Sequence, residues 1–273
     1  MLDNSVLAGE VLRHGAYLCL RRPHDIDVRA LAGVAIVALA EKLGLENEFE
    51  PAAGPPARSI AFLRRHGATP GAIADDDLLH ADAVVHVAAP KAQPVEDFCG
   101  KAARQLGHLV RVRILSGVVR PRTYTGAAMN NFAYAHQVVQ RSGKLMPNAF
   151  LVPMSKTAEW WKKNWMERHT YFLPRYDDSG RMTSEGHALA AEAGIACLLR
   201  RTYKSVSEQA SQGEYDFITY FECADADIPV FQGVCAALRD VRRNPEWRFV
   251  REGPSWHGRR VASWDALFTP AAP

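Results

Sequence analysis

The sequence has little of what would place the protein outside a reducing compartment, in a membrane or on nucleic acid. Its five cysteines are an odd number without a Cys-x-x-Cys pair, which favours buried free thiols. No apolar run approaches the roughly 18 residues that a membrane span needs. The net charge of +3 is too small to indicate a nucleic-acid partner. The N-terminus has no basic segment followed by an apolar run, so we expect a cytoplasmic protein.

Common catalytic signatures are also missing. The sequence contains no G-x-S-x-G nucleophile motif, no G-x-G-x-x-G after a predicted strand, no phosphate-binding Walker pattern and no H-E-x-x-H zinc motif. Hydrophobic residues make up 48% of the chain and charged residues 23%, which is ordinary for a globular protein with a core. Function therefore has to be inferred from individual residues and their spacing.

The chain alternates strand and helix patterns in two similar halves. The first half predicts a strand at 15–20, helices at 28–44 and 57–67, a strand at 81–90, a helix at 94–107 and a strand at 108–119. The second predicts a strand at 148–154, a helix at 184–194, strands at 195–205 and 215–225, a helix at 229–241 and a last strand at 246–253. This order predicts an α+β protein of two ferredoxin-like repeats, 1–140 and 141–273, whose free sheet faces pack into a barrel-like core.

His187 lies in a short alanine-rich helix pattern, "EGHALAAEAG". A lone histidine on such a helix is most often a half-buried polar group that is already hydrogen-bonded. The small neighbouring residues nevertheless leave room for a flat, bulky group, and a neutral imidazole is a common protein ligand of haem iron.

Arg200 and Arg201 interrupt an otherwise apolar strand pattern thirteen residues after His187. Because side chains alternate along a strand, one of the two arginines has to face whichever side is enclosed. A buried unpaired guanidinium costs several kcal/mol, so the inward arginine should meet a carboxylate or a bound anion. The alternative is an edge strand from which both cations reach water.

Trp160 and Trp161 are adjacent, which is a rare arrangement. On a strand they would face opposite ways, whereas on a loop both could cover a planar cofactor. A subunit interface explains the pair equally well.

Together these stretches resemble the chlorite dismutase family. "VPMSKTAEWW" (152–161) is similar to the family's strand that ends in Glu-Trp-Trp, and "DFITYFE" (216–222) is similar to a later family strand. The interval from His187 to Arg200 matches that between the family's proximal histidine and distal arginine. The resemblance is clear over 148–254; before that it consists of "GVVRPRTYTG" (117–126) and the fold pattern.

The resemblance implies an oxidoreductase with haem b (iron protoporphyrin IX) as its cofactor. His187 would ligate the iron, and Arg200 would be the catalytic residue on the opposite side of the haem. His169 has a similar local context, but only His187 gives the thirteen-residue interval. Glu246 would orient His187, although the family's carboxylate could align anywhere from Asn244 to Glu246.

Four further residues are haem contacts by the same resemblance. Trp160 and Trp161 would line the haem, and Tyr124 and Lys156 would lie near its propionates. The chain also departs from the family pattern by extra residues at about 169–181 and 205–215.

The implied reaction converts chlorite to chloride and dioxygen, with Arg200 holding hypochlorite by charge-assisted hydrogen bonds until the two oxygen atoms join. Three alternatives stay open: a peroxidase-like enzyme of the same family acting on another oxidant or an organic substrate, a coprohaem decarboxylase, and a protein without turnover, with or without haem. The expected partners are a small anionic substrate and other copies of the chain, as a pentamer, without nucleic acid or membrane.

Overall fold

The computed structural model describes residues 13–23, 26–49, 57–119, 146–195, 197–205 and 214–268. The strands within these ranges are β1 (Arg13–Arg21), β2 (Glu46–Asn47), β3 (Ser59–Thr69), β4 (Ala83–Ala89), β5 (Arg111–Val119), β6 (Asn148–Lys156), β7 (Arg175–Tyr176), β8 (Met182–Ser184), β9 (Leu199–Lys204), β10 (Phe217–Cys223), β11 (Val250–Glu252) and β12 (Ser255–Val261).

The helices in the same ranges are mostly short. They are α1 (Val28–Ala32), α2 (Ile36–Lys42), α3 (Asp76–Leu79), α4 (Ala92–Leu106), α5 (Ala158–Lys162), α6 (Trp165–Thr170), α7 (Gly186–Ala190) and α8 (Ile228–Arg239). A 3₁₀ helix at Pro245–Phe249 precedes β11. None of the helices described here is long and apolar enough to cross a membrane.

Eight of the strands form a closed antiparallel barrel. Their order is β10-β9-β5-β1-β4-β3-β12-β6, and β6 pairs back onto β10 to close the ring. β11 adds to β6 outside this ring, and β2 pairs with β3 in parallel. The junction of the two halves between β5 and β9 is the weakest in the ring, since these strands pair only at Val118–Lys204 and Val119–Tyr203 in the described residues.

The two halves of the barrel have the same strand order. The first half runs β5-β1-β4-β3 and the second runs β12-β6-β10-β9, so the first strand of each half lies between its fourth and its third. The boundary predicted between residues 140 and 141 falls outside the described residues.

Side chains that alternate along the strands form an interior and an exterior apolar layer. All eight barrel strands contribute to one buried cluster, which includes Tyr17, Leu63, Leu151 and Trp256, and such a cluster can only fill the interior. Outside the ring, α4 covers the first half of the sheet and α8 covers the second half. The second half is therefore a layered arrangement in which helices face the outer side of β6, β9 and β10.

Most of the predicted elements are confirmed within a few residues, but three predictions were wrong. The segment predicted as a helix over 57–67 is strand β3, whose first five residues are buried on both faces: Ile60 and Phe62 pack outward and Leu63 packs into the barrel. Because both faces are apolar, the two-residue alternation that marks a strand disappears from the sequence.

The last barrel strand was also misplaced. The predicted strand over 246–253 is the 3₁₀ helix followed by the short β11, and the barrel is closed by β12. The predicted helix over 28–44 is two helices, because the first ends at Gly33.

A buried ion cluster lies inside the barrel at one end. Arg260 donates hydrogen bonds to Glu222 (2.6 Å) and to Glu48 (3.3 Å), and Arg201 lies 3.7 Å from the second oxygen of Glu48. Burial opposes the charge on Arg260, but the two carboxylates and Tyr220 raise its pKa overall, so the guanidinium stays ionised. Two arginines balance two glutamates here.

Replacing Arg260 by methionine should cost about 3–5 kcal/mol of unfolding free energy, because two buried carboxylates lose the cation that they share. Urea unfolding measures the loss. The adjacent Arg259 pairs with Asp225 at the surface and provides the matched control. Arg259→Met should cost far less, since exposed ion pairs contribute little. Equal losses in the two variants would contradict the importance assigned to the interior cluster.

Candidate functional site

A pocket lies between the outer face of the second-half sheet and the helices that cover it. The pocket and its open mouth together contain about 590 Å³ of non-protein space. His187 and Arg200 both line it, together with apolar side chains such as Val152, Phe221 and Leu238. The two residues that the sequence singled out therefore share one site.

His187 is held in place by the backbone around it. Helix α7 is a single turn that begins at Gly186, whose φ of +69° favours glycine. A Cβ at Gly186 would lie 2.4 Å from the carbonyl oxygen of Leu173, so a side chain does not fit there. The His187 N–H donates to the carbonyl of Tyr171 at 3.1 Å. Tyr171 and Leu173 belong to the extra residues at about 169–181 by which the sequence departs from the family pattern. This segment therefore contacts the backbone at His187 and fixes its position.

A chain of hydrogen bonds fixes the His187 ring. Its Nδ1 lies 2.7 Å from one oxygen of Glu246, and Lys156 donates to the other oxygen at 2.6 Å. All three side chains are less than a tenth exposed. An ionised carboxylate only accepts hydrogen bonds, so Nδ1 carries a proton. The group next to Nε2 is Arg200 Nη1 at 3.5 Å, which can only donate, so Nε2 keeps its lone pair. In this structure Arg200 occupies the position next to that lone pair, which a ligand can reach only after the arginine side chain moves.

The Lys156 ammonium packs on the face of an aromatic ring. The Lys156 ammonium lies 4.4 Å from the centroid of the Trp160 ring, which packs against Phe249 and Tyr171. This contact and the Glu246 carboxylate together stabilise a buried cation. In this structure the ammonium pairs with Glu246, and its contact with haem propionates stays a prediction.

Arg200 contacts His187 directly within the pocket. Its Nη1 lies 3.5 Å from His187 Nε2, and its guanidinium carbon lies 5.9 Å from the centroid of the Phe221 ring. Arg201 points the opposite way, into the barrel and towards Glu48. Among the described residues, β9 pairs with β5 only at Tyr203 and Lys204, so at the two arginines it pairs with β10 alone. Arg200 is nevertheless 8% exposed and the Arg201 side chain 13% exposed, so the alternative in which both cations reach water is wrong.

The adjacent tryptophans lie on helix α5. The two alternatives considered from the sequence, a strand and a loop, were therefore both wrong. Trp160 is fully buried and does not line the pocket. Trp161 stacks on Phe217, which does line it, and donates from its indole N–H to Asp216 at 3.3 Å. Their haem contacts stay predictions, and Tyr124 lies outside the described residues.

Three contributors to the site were missed at the sequence level. Asp216 accepts the backbone N–H of Lys156 at 2.7 Å and so aligns the end of β6. Thr202 and Cys235 line the pocket. For Thr202 the signal was present, since strand alternation places it on the same face as Arg200; for Cys235 and Asp216 only the fold brings them near.

The donor set fits a cofactor that brings its own metal ligands. Among the described residues, no group of three histidine, cysteine or acidic side chains could hold a bare metal ion. One imidazole with a carboxylate on its Nδ1, set among apolar walls, is instead the usual protein contribution to a haem iron. Arg200 in its present position blocks His187 Nε2, so a metal can bind to this nitrogen only if the arginine side chain moves away.

The comparisons with known proteins find the same fold in solved structures. No protein-family profile and no curated protein matches the sequence. Three chlorite dismutase structures from Candidatus Nitrospira defluvii match at 21% identity: a tryptophan-to-phenylalanine mutant with cyanide (TM-score 0.66, 98% of each chain), an arginine-to-lysine mutant (0.65, 97% of this chain and 98% of that one) and an imidazole complex (0.64, 94% and 93%). At 21% identity, this similarity confirms the predicted resemblance at the level of the fold.

Proposed function

We propose that this protein is a haem b enzyme that decomposes chlorite to chloride and dioxygen. The observation that carries the proposal is the contact of Arg200 with a histidine whose Nδ1 is bonded to a buried glutamate. That pair lies in one pocket of a fold that chlorite dismutases share. His187 would hold the iron, and Arg200 would face the substrate.

Haem, when bound, supplies the iron that accepts and returns the oxygen atom of the substrate. The protein's part is to set the strength of the imidazole ligand. Because Glu246 accepts the Nδ1 proton of His187, it raises the basicity of Nε2 and fixes the ring orientation. Lys156 balances the carboxylate charge, which keeps Glu246 ionised in a buried position.

Arg200 would bind the anionic substrate and retain the anionic intermediate product. A guanidinium is always charged and offers a planar set of N–H donors that suits oxyanions. The apolar walls of the pocket keep competing water away and strengthen that interaction.

We further propose that the two halves, 1–140 and 141–273, are ferredoxin-like repeats, and that the protein works in the cytoplasm as a pentamer. The strand order that occurs in both halves of the barrel supports the first statement. In a ferredoxin-like repeat the first strand also lies between the fourth and the third, as it does here. Size-exclusion chromatography with light scattering tests the pentamer.

The absorbance spectrum and an oxygen electrode test the proposed function. Protein purified from cells supplied with iron should show a Soret band, and adding chlorite should release dioxygen. A Soret band without oxygen release, but with peroxide-dependent oxidation of an organic reductant, would favour the peroxidase-like alternative. A colourless protein that takes up no added haem would overturn the proposal.

Glu246→Gln should weaken haem binding about 10- to 100-fold, which is the usual cost of losing the hydrogen-bond partner of a metal ligand. A neutral amide accepts the Nδ1 proton less strongly and leaves Lys156 without its balancing charge. The rate of haem transfer to apomyoglobin measures the change. Glu252→Gln is the matched control, because Glu252 lines the same pocket but pairs with the half-exposed Arg239. Equal haem loss from both variants would contradict the role given to Glu246.

A further inference from the structure

Thr202 combines burial, a pocket position and a hydroxyl with no hydrogen bond. It is 6% exposed and lines the pocket. Its Oγ1 finds no hydrogen-bond partner in the part of the chain that the structure describes. A buried hydroxyl without a partner costs on the order of 1–3 kcal/mol of folding free energy. A ligand that accepts a hydrogen bond from this hydroxyl would explain why the sequence has a threonine here.

The neighbourhood of Thr202 indicates the chemistry of that ligand. Thr202 lies two residues after Arg200 on β9, so both side chains leave the same face of the strand, with backbones about 7 Å apart. Its partner across the strands is Thr219, which also lines the pocket. The two β9 residues offer one charged and one neutral donor side by side.

We propose that Thr202 is a specificity-determining residue that makes this pocket select bent oxyanions. One oxygen of such an anion accepts from Arg200 while a second oxygen accepts from the Thr202 hydroxyl. A linear ligand without oxygen, such as cyanide, has no second acceptor for this hydroxyl. The inference rests on the proposed function, since it assigns the substrate class of the same site.

Nitrite is the probe, because it is a bent oxyanion that is not consumed as a substrate. Thr202→Val keeps the shape of the side chain and removes only the hydroxyl, whereas Thr202→Ser keeps the donor. We expect the nitrite dissociation constant to rise about 10- to 100-fold in Thr202→Val, the range for one hydrogen bond to a charged group, and to stay near the parent value in Thr202→Ser. The cyanide constant should change less than twofold. Both constants come from the shift of the Soret band and from calorimetry.

A second readout separates ligand binding from a structural role. If the hydroxyl serves only a ligand, Thr202→Val relieves an unsatisfied buried group and should raise the melting temperature of the ligand-free protein, by about 2–4 °C for each kcal/mol gained. Weaker nitrite binding in a variant that is more stable supports the proposal. A lower melting temperature with unchanged nitrite affinity overturns it.

The failure of this inference can be told apart from the failure of the proposed function. A parent protein without a Soret band refutes haem binding, yet Arg200 and Thr202 still share the pocket, and calorimetry with nitrite tests the pair directly. If the parent binds nitrite and Thr202→Val does not, the oxyanion pair stands without haem. If the parent binds no nitrite, or binds it equally well in Thr202→Val, the inference is wrong.

Discussion

Replacing His187 with alanine is expected to give a folded protein that retains no haem after purification. The substitution removes the only histidine that lines the pocket among the described residues. The Lys156–Glu246 pair stays intact, so the charges around the site remain balanced and the barrel should still form. The ratio of Soret to protein absorbance measures the loss, with circular dichroism as the check on folding.

His169 provides the control for this prediction. It is the other histidine whose sequence context resembles the family's ligand, but it lies on α6 and does not line the pocket. His169→Ala should keep its haem. If His169→Ala loses haem and His187→Ala keeps it, the iron ligand has been assigned to the wrong residue.

Replacing Arg200 with alanine should reduce oxygen release from chlorite about 100- to 1,000-fold while haem content is unchanged. This is the usual cost of removing one preorganised donor that stabilises developing negative charge. Haem content should not fall, because Arg200 is not the proposed iron ligand and its Nη1 has to move away from His187 Nε2 before a metal can bind there. Initial rates at the oxygen electrode, divided by the haem concentration, give the measurement.

Arg239→Gln separates the position of Arg200 from a general effect of positive charge. Arg239 also lines the pocket, but it forms two hydrogen bonds with Glu252 at its half-exposed rim. We expect a change of less than threefold in this variant, since its charge is already paired and screened by solvent. If the two substitutions reduce oxygen release equally, Arg200 contributes only positive charge to the pocket, and the role given to its position is wrong.

The centre of the site was predictable from the sequence because it depends on local spacing. Strand alternation separates Arg200 from Arg201 whatever the fold, and the structure places one in the pocket and the other in the barrel. The choice of Glu246 came from the family resemblance, and the structure places this carboxylate on His187. The roles of these residues toward haem stay predictions.

The rest could not be predicted because it depends on contacts between distant segments. The first five residues of β3 are buried on both faces, so their sequence has no alternation to recognise. The adjacent tryptophans were not recognised as part of a five-residue helix, because so short an element has little periodicity. The unpaired hydroxyl of Thr202 becomes visible only when its neighbours are known.

A crystal structure of the protein loaded with haem tests the central claim most directly. The account predicts iron bonded to Nε2 of His187, with Nδ1 still hydrogen-bonded to Glu246 and with Arg200 moved to the opposite side of the porphyrin. Iron bonded to another residue, or porphyrin bound anywhere other than between His187 and Arg200, would contradict it.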